Sequence, residues 1–301
     1  MTTLTLERGR GGALRWSARL MLLPAGAGLL GLSVLPALYV VALALSRSSL
    51  GQPLQAFVGL ENLLVLVRDG DFLATLARTA LFALPASAAQ VAAGLAIALL
   101  LQGVRKGDLL RSVALLPLLT PPVLVGVAWK LLLAPAGGWV NGWLLRAGWI
   151  DGPVSWLGSD IWALPAVMLA DTWQWLPFTT ILCFGALQTL PQDVYEAAAL
   201  DGARPVPVFL KITLPLLAPA LLGIFLLRVV MALKTFDLVY VLTFGGPGQA
   251  TTLASFEVWK TGLQNFDVGL AGAQTLLFSV FAGLATWPIL KLSRWVERRL
   301  H

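Results

Sequence analysis

The chain has little of what chemistry at a fixed site requires. Its 301 residues include 1 Cys, Cys183, and 1 His, His301 at the very end. A single cysteine cannot form a disulfide within the chain, and a Cys/His metal centre has no ligand set to draw on. Charge is scarce as well: Asp, Glu, Lys and Arg make up 12% of the residues, against 58% hydrophobic, and the mean hydropathy is +0.82. Soluble domains carry about a quarter charged residues, so half that share places the chain in the membrane class. No G-x-x-x-x-G-K-[ST] phosphate loop occurs, which excludes ATP binding through that motif. There is no internal repeat and no low-complexity tract. The net charge is +6, but the basic residues flank apolar runs in short clusters. That pattern orients a membrane protein and gives no nucleic-acid surface.

What is present is a series of long apolar runs. A spanning helix needs roughly 20 mainly apolar residues. Six segments qualify, at about 19–46, 73–102, 109–134, 161–190, 216–243 and 269–292. The expected fold is therefore all-α: one polytopic membrane domain over 1–301 with six transmembrane helices and a core at about 73–292. Arg8, Arg10, Arg15 and Arg19 precede the first run, which exceeds the roughly 7 to 15 apolar residues of a signal peptide, so a retained first helix is expected. Lys and Arg concentrate at the N-terminus, at Arg105, Lys106 and Arg111, at Arg204 and Lys211, and at Lys291, Arg294, Arg298 and Arg299. Fewer lie in the alternate loops: Arg47, Arg68, Arg78, Arg146 and Lys260. The positive-inside rule then puts both termini, and residues 191–215, in the cytoplasm.

On the outer side, residues 47–72 contain Gly51, Pro53, Gly59 and Gly70 and read as a turn-rich loop. Residues 135–160 hold Trp139, Trp143, Trp149 and Trp156 among glycines, which fits an interfacial helix or a re-entrant segment. Those tryptophans serve either as headgroup anchors or as substrate contacts. Pro85, Pro117, Pro121, Pro122, Pro165 and Pro177 remove backbone donors, so kinks or unwinding are expected at each. LLPLLTPPVLVG is the strongest candidate for a broken helix, whether it lines a path or only packs.

The stretch Pro191–Pro215, PQDVYEAAALDGARPVPVFLKITLP, is an island of charge between these runs. Pro191 suits a helix's first turn, and Asp193 and Glu196 lie near the positive end of its dipole. Ala197, Ala198, Ala199 and Leu200 are strong helix formers, and Gly202 suits the position past the end. A second start at Pro205 predicts a short helix through Val208, Phe209, Leu210 and Ile212 that Pro215 stops. One face is small, through Ala197, Ala198 and Gly202, and so open to a partner's backbone. Composition alone leaves two readings: a well-capped inert connector, or a docking handle.

EAAALDGA, nine residues from Arg204 to Ile212, and then TLP closely resemble the signature of binding-protein-dependent ABC importer permeases. Glu196, Ala197, Ala198, Asp201, Gly202 and Pro215 match it position by position. DTWQWLPF (Asp171–Phe178), LQTLP (Leu187–Pro191), KTFDLVYVLTFGGPGQAT (Lys234–Thr251) and NFDVGLAGA (Asn265–Ala273) look like the sugar-importing, maltose-permease-like branch. Pro205 and Pro207, and Val206 where the family often has an aromatic residue, depart from the pattern. The resemblance implies a type I importer permease core of six helices in the inner membrane. It implies that Glu196, Ala197, Ala198, Asp201, Gly202, Phe209 and Pro215 couple to a cytoplasmic ATPase dimer. ATP and Mg would then sit on that dimer, and this chain would bind no cofactor and no metal. The other implied partners are a second permease subunit, an extracytoplasmic solute-binding protein and membrane lipid, with no nucleic acid. Gly245, Gly246 and Pro247 would face the binding protein, or simply form a turn.

For a sugar, aromatic faces and amide or carboxylate groups are the expected contacts. Trp173, Gln174, Trp175, Asp237 and Tyr240 offer them. Lys234 and Asp237 are three apart, share a helix face and can pair, with Arg228 snorkelling from the same segment or touching substrate. The alternative to an ATP-driven importer is an ion-coupled secondary transporter relying on Asp171 and Asp237. The alternative cargo is a glycerol phosphate-type solute. An enzyme lacks a catalytic constellation.

Overall fold

The computed structural model describes residues 21–103 and 115–300. The basic N-terminus, the Arg105–Lys106–Arg111 cluster and His301 lie outside these residues. Within them the fold is mostly helical, and it divides into two compact units.

Among the described residues, the first unit comprises 21–68 and 261–276. Its long helix α1 (Met21–Ala44) is apolar enough to cross a membrane and has a π turn at Leu30–Val34. The expected turn-rich loop at 47–72 is instead a hairpin of β1 (Ser46–Ser49) and β2 (Gln52–Phe57), followed by helix α2 (Glu61–Asp69). The reason is local. Leu50–Gly51 makes a two-residue connection, and the Ser46 and Ser48 hydroxyls bond each other at 2.7 Å. Asn62 then donates to the carbonyls of Ala44 at 2.9 Å and Ser46 at 3.0 Å. It thereby satisfies an acceptor that the end of α1 would otherwise leave open. A two-stranded sheet thus qualifies the all-α expectation.

Among the described residues, the second unit comprises 69–103, 115–260 and 277–300. Its frame is α3 (Asp71–Gln102) packed along α7 (Ala163–Gln188), with α9 (Pro205–Leu233) against both. Gly94 is what lets α3 and α7 approach: a Cβ there would lie 2.6 Å from Thr179 Oγ1 and 3.0 Å from its backbone carbon. Between α3 and α7 the chain forms α4 (Leu116–Leu119), α5 (Pro122–Leu132) and α6 (Trp139–Arg146). The break between α4 and α5 is the one expected at LLPLLTPPVLVG: Thr120 and Pro121 are extended, with ψ of 128° and 136°. At the other prolines singled out within the long helices the chain does not unwind. Pro85 and Pro177 lie inside continuous helices, and Pro165 falls in the first turn of α7, where no donor is needed.

The segment 135–160 contains helix α6. It is organised by Asn141, which is buried. Its Nδ2 donates to Val154 O at 2.9 Å, and its Oδ1 accepts from Val154 N at 3.2 Å and Trp156 Nε1 at 3.0 Å.

The expected span at 216–243 is corrected: α9 stops at Leu233, and α10 (Asp237–Leu242) starts after a break at Lys234–Phe236. Helix α11 (Ala254–Trp259) follows, and α12 (Val268–Leu300) ends the described chain. Among the described residues, four helices are long and apolar enough to span by composition: α1, α3, α9 and α12. Helix α7 has the length, 26 residues, but Asp171, Thr172, Gln174 and its threonines dilute its hydropathy. Helix α5 is apolar but short, at 11 residues.

Candidate functional site

Two places in the second unit collect the residues singled out from the sequence. The first is the charged island. Helix α8 (Gln192–Leu200) starts one residue after Pro191 and ends in Asp201–Gly202. Gly202 has φ +66°, Gly202 N donates to Ala199 O at 3.1 Å, and Ala203 N to Ala198 O at 3.0 Å. This paired bonding past a left-handed residue closes the helix sharply. The second loop helix is corrected: Pro215 does not stop it. The chain runs from Pro205 through a π turn at Phe209–Thr213 directly into α9. The wider π bonding, with Leu214 N on Phe209 O, reorganises the turn in which Pro215 would otherwise leave a carbonyl without its donor. Tyr195 Oη lies 3.0 Å from Thr213 Oγ1 and fastens α8 to that turn. A cavity of about 680 Å³ behind it is lined by Gln102, Gln188, Gln192 and Tyr195.

The exposed face of the island is Glu196, Ala197, Asp201, Gly202, Leu200 at 90% and Val206 at 67% exposure. Ala198 is buried, and Phe209 packs inward against the apolar cluster of Leu95, Cys183, Leu187 and Leu217. Those two residues support the loop from behind and are not on its outer face.

The second place lies where α3, α7 and α9 meet. Arg228 is fully buried, so the snorkelling arginine is corrected: its Nη2 pairs with Asp171 Oδ2, and its Nε donates to Gln90 Oε1. Gln90 Nε2 in turn donates to Asp171 Oδ2 at 2.8 Å. The guanidinium carbon lies 4.9 Å from the Trp175 ring centroid, a cation–π contact in a desolvated setting. A buried charge must be paired, and here one carboxylate, one guanidinium and one amide bond to one another across three helices. Asp171 Oδ1 and Arg228 Nη1 have no hydrogen-bond partner.

Asp171 also lines a small pocket of about 130 Å³, with Gln174, Trp175, Lys234 and Asp237 around it. The break between α9 and α10 makes this pocket, because it exposes Lys234 and Asp237 instead of burying them in a helix. Lys234 and Asp237 form no ion pair with each other; among the described residues the ion pairs are Arg228–Asp171 and Lys260–Glu257. Gln174 donates to Thr120 O at 3.2 Å, at the α4–α5 break. The structure thus brings Gln174 and Asp237 to one site. It leaves Trp173 on another face, edge-on to Trp129 and lining an apolar cavity with Pro117 and Pro177. Tyr240 belongs to an aromatic cluster, stacked on Phe236 at 5.5 Å and edge-on to Trp259 at 5.1 Å. Gln90 is the residue that sequence reasoning passed over. The signal was a lone amide in an apolar run, which must find a partner inside the protein.

The Gly245–Gly246–Pro247 turn is tied down from its C-terminal side. Thr251 Oγ1 donates to Gly246 O at 2.8 Å, and Thr252 Oγ1 donates to Gly245 O at 3.0 Å. Gly245 has φ +84°, and a Cβ there would lie 2.7 Å from Thr252 Oγ1.

The chain is similar to several known proteins. The trehalose/maltose transport system permease protein MalF of Thermococcus litoralis is 36% identical over 280 residues, covering 92% of this chain and 93% of that one. The sulfoquinovosyl glycerol transport system permease protein SmoG of Agrobacterium fabrum is 31% identical, covering 93% and 91%. The fold is similar to that of a crystallised bacterial ABC transporter involved in the import of the acidic polysaccharide alginate. The TM-score is 0.81 at 23% identity, over 96% of this chain and 99% of that one. Residues 90–301, which hold both the charged island and the three-helix charge cluster, match the family of binding-protein-dependent transport system inner membrane components. The chain is a transport subunit of the inner membrane and belongs to that family.

Proposed function

We propose that the chain is the permease of an ATP-driven importer for a neutral sugar or glycoside, and that the pocket at the α9–α10 break holds that solute during passage. The observation that carries this reading is the charge balance of the pocket. Asp171 is neutralised by Arg228, and the remaining pair, Lys234 and Asp237, sums to zero. Amide, carboxylate and ammonium groups beside the Trp175 face suit hydroxyls and a C–H surface. A phosphorylated solute would leave a dianion without net compensation. The same pairing argues against ion coupling, since Asp171 is already committed to a fixed guanidinium.

In this proposal six segments cross the membrane: α1, α3, the broken α4–α5, α7, α9 and α12. The Lys and Arg distribution supports termini on the cytoplasmic side. The loop from Pro191 to Pro215 docks on an ATPase dimer through Glu196, Ala197, Leu200, Asp201 and Gly202, with Ala198 and Phe209 holding it in shape. ATP and Mg belong to that dimer. A second permease subunit completes the pathway, and a solute-binding protein delivers cargo near Gly245–Pro247. Permease relatives named for trehalose and maltose and for sulfoquinovosyl glycerol support a carbohydrate cargo. Those named for sn-glycerol-3-phosphate keep the phosphate alternative in view.

The test is uptake by cells expressing the complete transporter. Gln174→Ala and Asp237→Ala should each raise the KM for a neutral disaccharide or glycoside by about tenfold, the effect of losing one charged or paired hydrogen bond. Glycerol phosphate should fail to compete. Unchanged kinetics in both variants, or competition by glycerol phosphate alone, would reject the proposal.

A further inference from the structure

The end of α12 carries a feature that transport of a solute does not use. From Val268 to Leu290 the helix has no charged residue. Lys291, Arg294 and Arg298 then follow at intervals of three and four, which places them on one side of the helix. All three are exposed, and none forms an ion pair among the described residues. Together with Trp287, Leu290 and Trp295 they line a groove of about 360 Å³. Lys291 Nζ lies 5.3 Å from the Trp287 ring centroid. Val280, Leu284 and Trp287, preceding the groove, are exposed at 60%, 66% and 61%. The order along this part of the helix is therefore an open apolar track, then tryptophan, then three cations. The hydrocarbon core accommodates roughly 20 helical residues, so the cations emerge at headgroup depth, where tryptophan also concentrates.

We infer that this groove is a binding site for an anionic phospholipid, with the phosphate between Lys291, Arg294 and Arg298 and the acyl chains along Leu284 and Val280. The charge complementarity commits the site to a phosphate-bearing lipid. The adjoining apolar track distinguishes such a lipid from a free anion, because it gives the chains a surface to cover. Glu297, on the same helix, is also exposed, and against the three cations that line the groove it leaves positive charge in excess.

The experiment is native mass spectrometry of the purified full chain in detergent, titrated separately with phosphatidylglycerol, phosphatidylcholine and inorganic phosphate. Phosphatidylglycerol should be retained in preference to phosphatidylcholine, and added phosphate should not displace it. Each Lys or Arg near an anionic lipid surface strengthens binding about fivefold. The triple variant Lys291→Gln/Arg294→Gln/Arg298→Gln should therefore lose that preference by up to ~100-fold. The charge-preserving variant Lys291→Arg/Arg294→Lys/Arg298→Lys should keep it, which separates loss of charge from loss of fold. Equal retention of both lipids, full preference in the triple glutamine variant, or displacement by phosphate alone would overturn the inference.

Discussion

Replacing Arg228 by methionine tests whether the three-helix charge cluster behaves as a buried ion pair. The substitution removes the donor to Gln90 and the ionic partner of Asp171, and leaves the carboxylate with one bond, from Gln90 at 2.8 Å. Stripping one partner from a buried pair costs about 3–5 kcal/mol, because the other charge stays buried and uncompensated. The lost contact with Trp175 adds about 1 kcal/mol. Asp171 Oδ1 and Arg228 Nη1 already lack partners, so the cluster is less than fully satisfied and the lower end applies: about 4 kcal/mol in all. The sharper measurement is the double variant Asp171→Leu/Arg228→Met. Apolar replacement of a whole buried pair is often neutral or stabilising, so the double should recover most of what either single loses. Reversible SDS unfolding of the purified chain in mixed micelles, at all four corners of the cycle, reads this directly. A single-variant loss below about 1 kcal/mol, or a double equal to the sum of the singles, would refute the reasoning.

Gly94→Val would force α3 away from α7 against Thr179 at 2.6–3.0 Å, and overpacking of this kind costs about 1–3 kcal/mol. A lowered melting temperature in detergent is expected, and an unchanged one would contradict the packing. Gly202→Val meets no atom within 4 Å but must hold φ +66°, at a local cost of about 1–2 kcal/mol. It should insert normally yet fail to retain the ATPase on co-purification, whereas Gly202→Asn, which tolerates the left-handed region, should retain it. Asn141→Ala would strip the buried partners from Val154 and Trp156, a loss of about 2–3 kcal/mol. Faster amide exchange confined to residues 139–156 is the expected readout.

The features legible in the sequence were those that local chemistry fixes. Gly202 after a run of helix formers announced its turn, and Thr120–Pro121–Pro122 announced the break between α4 and α5. The charge cluster was not legible, because its members lie 57 and 138 residues apart and no periodicity links them. Asp171 was visible only as a possible ion carrier, and Arg228 only as a snorkelling side chain or a substrate contact. Their pairing requires knowing that α7 and α9 touch. The break at Lys234–Phe236 was hidden for a different reason. Apolar residues continue on both sides of it, so hydropathy reads one span where the backbone makes two helices. The hairpin was obscured because β2 is exposed along its whole length, which leaves no alternation for a period of two to reveal.

The π turn at Phe209–Thr213 has a mechanical consequence. Because Pro215 does not interrupt the helix, the rod from Pro205 to Leu233 is unbroken, 29 residues or about 43 Å long. One end is the outer half of the charged island, and near the other sits Arg228, one turn and a half before the break that opens the pocket. In the docking proposed above, a displacement of the island would reach Arg228 along this one helix. The element proposed to dock and the element that carries the guanidinium are then a single lever.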